Sequence, residues 1–506
     1  MKNHNRFYRV YNQVCNDAFK AYQQKQIDRC YNLIQTAASI AYFYNQFFFD
    51  EKIETLLKRN TELLFETNKL SENKDLLKNR IVFIDTNGVD NAGLTQQYIR
   101  ALIALKYSFL YIYIDGKEDG TTENPATIKE IKEYEEAQIK IFKRKTKHSS
   151  KIKEVAQLIQ QYAPSSILLH IMPWDVTSLA VIHRLKHIKS FNINLTDEAF
   201  WLGSSFFDYN IEFRNYGYTI SLEQRKFKQD QLLYLPYYPI IPTQQEEFQG
   251  FPSNIPNDKI KIFTGGHFYK IFDRANYFFK LMDAILQANP NAIIIIAGYG
   301  NLKEFYKRIQ TMSNKDRVYY VGFRKDINEL FKQIDIYLST YPISGALMSQ
   351  YAAINGKPII AFTEKELIDN KLEEIICHKI QHQISLNDID STIKYSKYLC
   401  SDKNIRVSEG KLLQEAITSK KDFDIKLKSI LEGNTQESLE KDNINYEYIA
   451  QTYLALRKSI INDIIPLLIK LYRVKFLLKF YFLIPQIPLI ITERLMKKIK
   501  DFQKLH

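Results

Sequence analysis

The sequence predicts an α/β protein of doubly wound parallel sheets, and three observations carry that prediction. Between Lys261 and Ala361 five short apolar runs recur: Ile262–Thr264, Ala292–Ala297, Val318–Val321, Ile336–Ser339 and Pro358–Ala361. Helical segments separate them: Arg274–Ala288, Leu302–Met312, Ile327–Gln333 and Leu347–Asn355. Short runs without polar alternation fit parallel strands covered on both faces. A second alternation opens at Ile81 with IVFID, and continues through FLYIYID, ILLHI and SFNINL. The third observation is the start of the chain, which has no Gly or Pro before Gly88 and repeats apolar positions at helical spacing. Four regions follow: a helical appendage over 1–78, one doubly wound domain over 79–240, a second over 241–450, and a basic amphipathic tail over 451–506.

Ligands of such sheets lie at the carboxyl ends of the strands. In the second domain those ends read Thr264-Gly265-Gly266-His267 with Lys270, then Gly298-Tyr299-Gly300, then Gly322-Phe323-Arg324-Lys325. The fourth reads Thr340-Tyr341-Pro342-Ile343-Ser344-Gly345, immediately before a helix. Small residues let backbone approach a ligand, a helix start offers unpaired N–H groups to phosphate, and Lys270 and Arg324 add countercharge.

The text IIIIAGYGNLKEFYKRI, followed by DRVYYVGFRKDINELFKQIDIYLSTYPISGALMSQYAAINGKPIIAF, resembles the nucleotide-sugar domain of GT-B glycosyltransferases of the group 1, family 4-like type. Gly298, Gly300, Gly322, Asp335, Gly356, Lys357 and Pro358 fall on that pattern. The resemblance implies two Rossmann-like domains facing across a cleft. It also implies a nucleotide-sugar donor, UDP-sugar being the expected class, and no further cofactor. The donor would contact Gly265, Gly266, Lys270, Gly298, Gly300, Gly322, Arg324, Ser344, Gly345, Ala346 and Glu364. Many retaining members carry two glutamates eight residues apart ahead of the Gly-Lys-Pro; here Ile343 and Tyr351 stand there, so the stereochemical outcome is left open.

In the first domain, TNGVDNAGL follows the first strand, so Asn87, Gly88 and Gly93 face the cleft if the fold is as expected, with a plain turn as the alternative. TDEAFWLGSSFFDYNIEFRNYG resembles a bacterial GT-B stretch reading Asn-x-x-Asp-x-Ala-Phe-Trp-Leu-Gly and ending in Arg, matched by Asn194, Asp197, Ala199–Gly203 and Arg214. Trp201 is thereby placed on the acceptor side. Glu198 stands where His is common. Attack by an acceptor hydroxyl needs a base within hydrogen-bond reach; Asp197, Glu198 and His170 are the three candidates. Asp197 has a second reading as the cap of the short AFWLG turn.

Bulk properties narrow the class. The net charge is +13, but 11 Lys/Arg against three Asp/Glu fall in 451–506. The remainder is near balance, which speaks against a nucleic-acid binder. Cys15, Cys30, Cys377 and Cys400 form no CxxC pair. The pairs His183/His187 and His378/His382 have helix-face spacing but no third ligand, so no metal is expected. The first residues, MKNHNRFYRVYNQ, lack the apolar core of a signal peptide, and no uncharged run is long enough to span a bilayer. Lys117–Ser150 reads as polar, with a solvated helix face in YEEAQIKIFKRKTK. The tail mixes large apolar residues with cations. Two readings remain open for it: contact with an anionic membrane surface, or a helix packed back on the N-terminal half.

The expectation is therefore a transferase moving sugar to a glycan or lipid-linked glycan acceptor. It would serve bacterial capsule, lipopolysaccharide or O-antigen synthesis from the cytoplasmic face of the cell membrane. A sugar-nucleotide epimerase and a non-catalytic GT-B partner are the alternatives.

Overall fold

The computed structural model describes residues 2–66, 76–91, 94–240, 247–273, 275–367, 371–434, 439–456 and 460–486. Two all-parallel sheets organise them. The first contains β1 (Leu77–Asp85), β2 (Ser108–Gly116), β3 (Ala137–Lys143), β4 (Pro164–His170), β5 (Lys189–Ile193), β6 (Tyr209–Glu212) and β7 (Leu232–Tyr234), in the order β3-β2-β1-β4-β5-β6-β7. The second contains β8 (Ile260–His267), β9 (Ala292–Tyr299), β10 (Val318–Tyr320), β11 (Ile336–Leu338), β12 (Ile359–Phe362) and β13 (Ser385–Leu386), in the order β10-β9-β8-β11-β12-β13. Each order reverses once, at β1/β4 and at β8/β11, and those reversals open the crevices in which such sheets bind ligands.

Both faces of each sheet are covered. Along β1, Val82 and Ile84 enter one core while Ile81 and Phe83 enter another, the period-2 division of a strand. β9 is buried from Ala292 to Gly298, which is why its sequence is a plain isoleucine run.

One segment departs from the expectation. Ala137–Lys143, taken as part of a solvated helix face, is the edge strand β3, paired in parallel with β2. Its text, AQIKIFK, alternates apolar and polar residues, and that alternation outweighs the charge around it.

The appendage is three helices, Lys2–Gln23, Ile27–Tyr44 and Glu51–Phe65. Asp50 caps the third, accepting from the Lys52 and Ile53 amides. Their apolar faces join the core that holds Ile152, Val155 and Leu179 of the first lobe. The described part of the tail closes on the same core: Ile464, Ile465, Leu468, Tyr472, Phe476, Phe480 and Leu483 are buried there. Tyr472 Oη donates to Asp17 at 2.8 Å and Lys479 Nζ at 2.6 Å. Burial pushes the Asp17 carboxyl up, but these hydrogen bonds outweigh it and hold it below the usual range.

The chain returns to the first lobe after the second. Helix Lys420–Glu432 lays Phe423 against Tyr98 and Tyr238, with ring centroids 5.1 and 5.5 Å apart. Helix Tyr446–Leu456 then straps both lobes: Tyr446 Oη donates to Glu223 of the first at 2.8 Å, and Tyr448 Oη to Glu364 of the second. Among the described residues no helix is long and apolar enough to cross a membrane.

Candidate functional site

The carboxyl edge of the second sheet is partly packed shut and partly open. A Cβ on Gly265 would lie 2.6 Å from the Ala297 carbonyl oxygen, one on Gly298 2.1 Å from the Gly266 carbonyl oxygen, and one on Gly300 2.9 Å from Phe268 Cβ. These glycines let β8 and β9 close on each other. Gly266 and Gly322 differ: a Cβ there would meet nothing within 4 Å, and both hold positive φ, +138° and +78°. They border open space. Around them stand rings that solvent reaches, Tyr269, Tyr299 and Phe323. The His267 ring lies 4.7 Å from both Tyr269 and Tyr299, and Tyr299 5.5 Å from Phe323. Sequence reasoning valued this edge for its glycines and passed over its aromatics, which alternate with those glycines in the text.

Gly345 caps helix Ala346–Ile354, and a Cβ on it would press to 2.6 Å on Tyr337 Oη. Half-buried Lys270 reaches the same turn, its Nζ donating to the Ser344 carbonyl at 3.3 Å, while the Ile343 amide donates to the Lys270 carbonyl. Burial pulls the Lys270 pKa down and the charge of Glu198, from the other lobe, draws it back up. Lys270, Ser344 and the helix start thus converge, with an acidic side chain of the opposite lobe within electrostatic reach.

Arg324 is not in that group. Its fork closes on Asp326, Nε to Oδ1 at 2.7 Å and Nη2 to Oδ2 at 2.5 Å, and Nη1 donates to the Gly250 carbonyl. All three guanidinium nitrogens are committed, so the countercharge expected of Arg324 goes instead to pinning the interlobe linker. Glu364 is likewise engaged, accepting from Tyr341 and Tyr448.

In the first lobe, Asp197 is 1% exposed and held bidentately by Arg214, at 2.5 and 2.7 Å. Arg225, fully buried beneath, donates to the carbonyls of Thr196, Asp197 and Ala199. Glu212 accepts from Asn194, Asn210 and Ser221, and burial pushes its carboxyl up to about 7. A Cβ on Gly217 would collide with both Glu212 and Asp197. Asp197 therefore sits inside a buried polar lattice that fixes the loop carrying Glu198, and both of its carboxylate oxygens are occupied. Glu198 itself is half-buried. Trp201, expected on the acceptor side, is 3% exposed and donates Nε1–H to the Thr196 carbonyl at 2.9 Å. Its bulk anchors the loop in the core rather than facing a ligand.

The appendage grips this loop from behind. Glu54 accepts from the amides of Gly203, Ser204 and Ser205 at 2.6, 2.9 and 3.0 Å. Asn45 donates to the Glu198 carbonyl at 2.8 Å.

At the β1/β4 reversal, His170 is fully buried, with Nδ1 2.9 Å from Thr95 Oγ1 and 3.2 Å from Asp85 Oδ1. Asp85 also accepts from Thr95 at 2.8 Å and Tyr111 at 2.7 Å. His170 Nε2 is buried with no hydrogen-bond partner among the described residues. Gly88 is required here, since a Cβ would lie 2.2 Å from Asp85 Oδ2. Asn87 is half-buried beside it, its amide donating to Asp85 at 2.9 Å; Gly93 lies outside the described residues. Asp85 and Thr95 were not picked out from sequence, although Asp85 ends the strand IVFID beside the loop that was. Of the paired histidines, His183 meets Glu62 and His378 meets Thr418. No group of three or more His, Cys, Asp or Glu that could hold a metal occurs among the described residues.

With two reversed parallel sheets facing each other and the second bearing this edge, comparison with known families is direct. Residues 258–385 match the family model Glycosyl transferases group 1. The chain's two doubly wound parallel sheets are the architecture that the sequence predicts for a GT-B protein. No curated protein matches the chain. Among solved structures it is similar to Anabaena HepE in complex with UDP and glucose, at 13% identity and TM-score 0.49 over 70% of this chain and 99% of that one. It is also similar to the Thermobaculum terrenum O-GlcNAc transferase, at 11% and 0.49 over 87% and 85%. A third is WaaG, described as a glycosyltransferase involved in lipopolysaccharide biosynthesis, at 10% and 0.45 over 70% and 100%.

Within the matched segment, the two positions that depart from the glutamate pair are each held by a hydrogen bond. Tyr351 is buried and its Oη donates to the Ile240 carbonyl at 2.5 Å, tying the domain to the linker. Ile343 lies in the Thr340–Gly345 turn, its carbonyl accepting from Thr340 Oγ1 at 2.7 Å.

Proposed function

We propose that this protein transfers a sugar from a nucleotide-sugar donor, a UDP-sugar, to an acceptor hydroxyl. The reading rests above all on the convergence of Lys270 and the Ser344–Gly345–Ala346 helix start beside the open glycines Gly266 and Gly322. The diphosphate lies at the helix start and Lys270, and the nucleobase on the exposed Tyr299 and Phe323 rings. In the reaction the donor's anomeric C–O bond to phosphate breaks and a bond from the acceptor oxygen forms. The acceptor proton passes to a base, and the nucleoside diphosphate leaves with the bonding electrons. Negative charge on the leaving group grows most in the transition state, so the Lys270 cation lowers the barrier as well as holding the donor.

Glu198 is the base favoured by position, since it is half-buried, its loop is fixed by the Asp197–Arg214–Arg225 lattice, and its charge reaches Lys270. His170 is the second candidate, with Asp85 and Thr95 fixing its ring. Acceptors are lipid-linked or surface glycans of capsule or lipopolysaccharide type, met at the inner face of the cell membrane.

Donor turnover with a panel of UDP- and GDP-sugars, with and without acceptor, tests the reading. Lys270→Ala is expected to lower kcat/KM by roughly 100-fold or more, and Glu198→Gln to lower kcat while leaving UDP affinity in place. A changed sugar nucleotide released without acceptor would make the protein an epimerase. No turnover with any donor, alongside unimpaired folding, would make it a non-catalytic partner.

A further inference from the structure

The described tail presents apolar residues on two opposite sides. Inward, Phe476, Phe480 and Leu483 are buried against the appendage core. Outward, Val474, Leu477, Leu478 and Tyr481 lie in and beside the short helix Lys475–Lys479. They are 78%, 51%, 79% and 60% exposed. A helix that only closes a core turns polar residues to solvent. Four large apolar side chains exposed together between Val474 and Tyr481 instead mark a surface built for contact.

Its border is cationic. Lys470, Arg473 and Lys475 are exposed beside it, and the sequence contains no Asp or Glu between Asp463 and Glu493. Arg9 of the first helix adds a guanidinium 4.8 Å above the Phe482 ring. Beyond Gln486 the sequence continues with Arg494, Lys497, Lys498, Lys500 and Lys504.

We propose that this face enters the interfacial layer of an anionic bilayer. The four apolar side chains lie below the head groups, and Lys470, Arg473 and Lys475 lie at the phosphates. Charge complementarity selects this occupant over a second copy of the chain. A two-fold self-contact would set the same three cations of each copy against one another. The helix has five residues, so the contact is monotopic. The proposal stands independently of the transfer chemistry.

The experiment is sedimentation of the full-length protein with vesicles of phosphatidylcholine alone and of phosphatidylcholine mixed with phosphatidylglycerol. The protein is expected to pellet with the mixed vesicles and to be released by salt. Two variants are compared with it, V474S/L478S and K470E/R473E/K475E. All five positions are exposed, and thermal melting checks that the fold is kept. K470E/R473E/K475E is expected to lose binding by about tenfold or more, at roughly 1 kcal/mol per cation near such a surface, and V474S/L478S by about tenfold through lost apolar burial. UDP binding is followed in the same samples, so that failure of the donor site and failure of the membrane face are read separately. Wild-type protein staying in the supernatant with both vesicles would overturn the proposal. So would variants that pellet as well as the wild type, or a wild-type dimer that V474S/L478S converts to monomer without any vesicle binding.

Discussion

The two lobes finish their strands in opposite ways. At the edge of the second sheet, Gly266 and Gly322 border empty space and the Tyr299 and Phe323 rings stand in solvent. At the edge of the first, Asp85, His170, Asp197, Glu212, Arg214 and Arg225 are buried in two hydrogen-bonded lattices. One lobe leaves backbone and rings open at its strand ends. The other spends its charged side chains on holding loops still, with Glu198 half-buried beside them. The difference shows that a charged residue at a strand end is not thereby a reacting one; what counts is whether its hydrogen-bonding capacity is already used.

That contrast can be broken most severely at Arg214. Arg214→Met leaves Asp197 buried without its counter-ion, and should cost about 3–5 kcal/mol of stability, read from urea unfolding. The equivalent cut in the open lobe, Phe323→Ala, should leave unfolding within about 0.5 kcal/mol of wild type while weakening UDP binding.

Glycines sharpen the same contrast. Gly298→Ala drives a Cβ to within 2.1 Å of a carbonyl oxygen and should destabilise by about 2 kcal/mol or more through forced backbone movement. Gly322→Ala meets no neighbour and should cost only its left-handed conformation, about 1 kcal/mol. Differential scanning calorimetry of the pair separates packing from ligand access.

Glu54→Gln probes how the appendage braces the Glu198 loop. Glu54 faces three amides and the Ser205 hydroxyl, so an amide in its place should cost about 1–3 kcal/mol and lower transfer kcat with UDP affinity kept.

A last effect is one of pH. Glu374 lies against Asp442, and burial together with that neighbour's charge pushes its carboxyl up to about 8 from 4.5. The folded state then binds more protons than the unfolded one between those values. Stability must therefore fall as pH rises from 4.5 toward 8, by at most about 1.4 kcal/mol per pH unit. Glu374→Gln should flatten that slope in a melting-temperature series.

Much of the second lobe was readable because its signals are local. β9 and β11 were anticipated within two residues, and the helix start at Ala346 within one, because isoleucine runs and glycine turns announce themselves over a few positions. β3 was lost because charge was weighed above alternation. The first lobe's lattices were readable only as the Asn194, Asp197 and Arg214 positions of one motif, not as contacts. Glu54 meets Gly203 across 149 residues and His170 meets Asp85 across 85, and no spacing rule joins partners so distant in the chain. Arg324 and Trp201 were misplaced for the same reason: their residue types suggested ligand contact, while their partners, Asp326 with the Gly250 carbonyl and the Thr196 carbonyl, are visible only once the backbone is folded.

The polypeptide passes between the lobes at the linker after Tyr238 and again ahead of helix Lys420–Glu432, with helix Tyr446–Leu456 fastened to both. Two separate crossings define an axis, as two pins define the swing of a gate. Rotation about the line through them stretches neither, whereas sliding or corkscrew motion strains both.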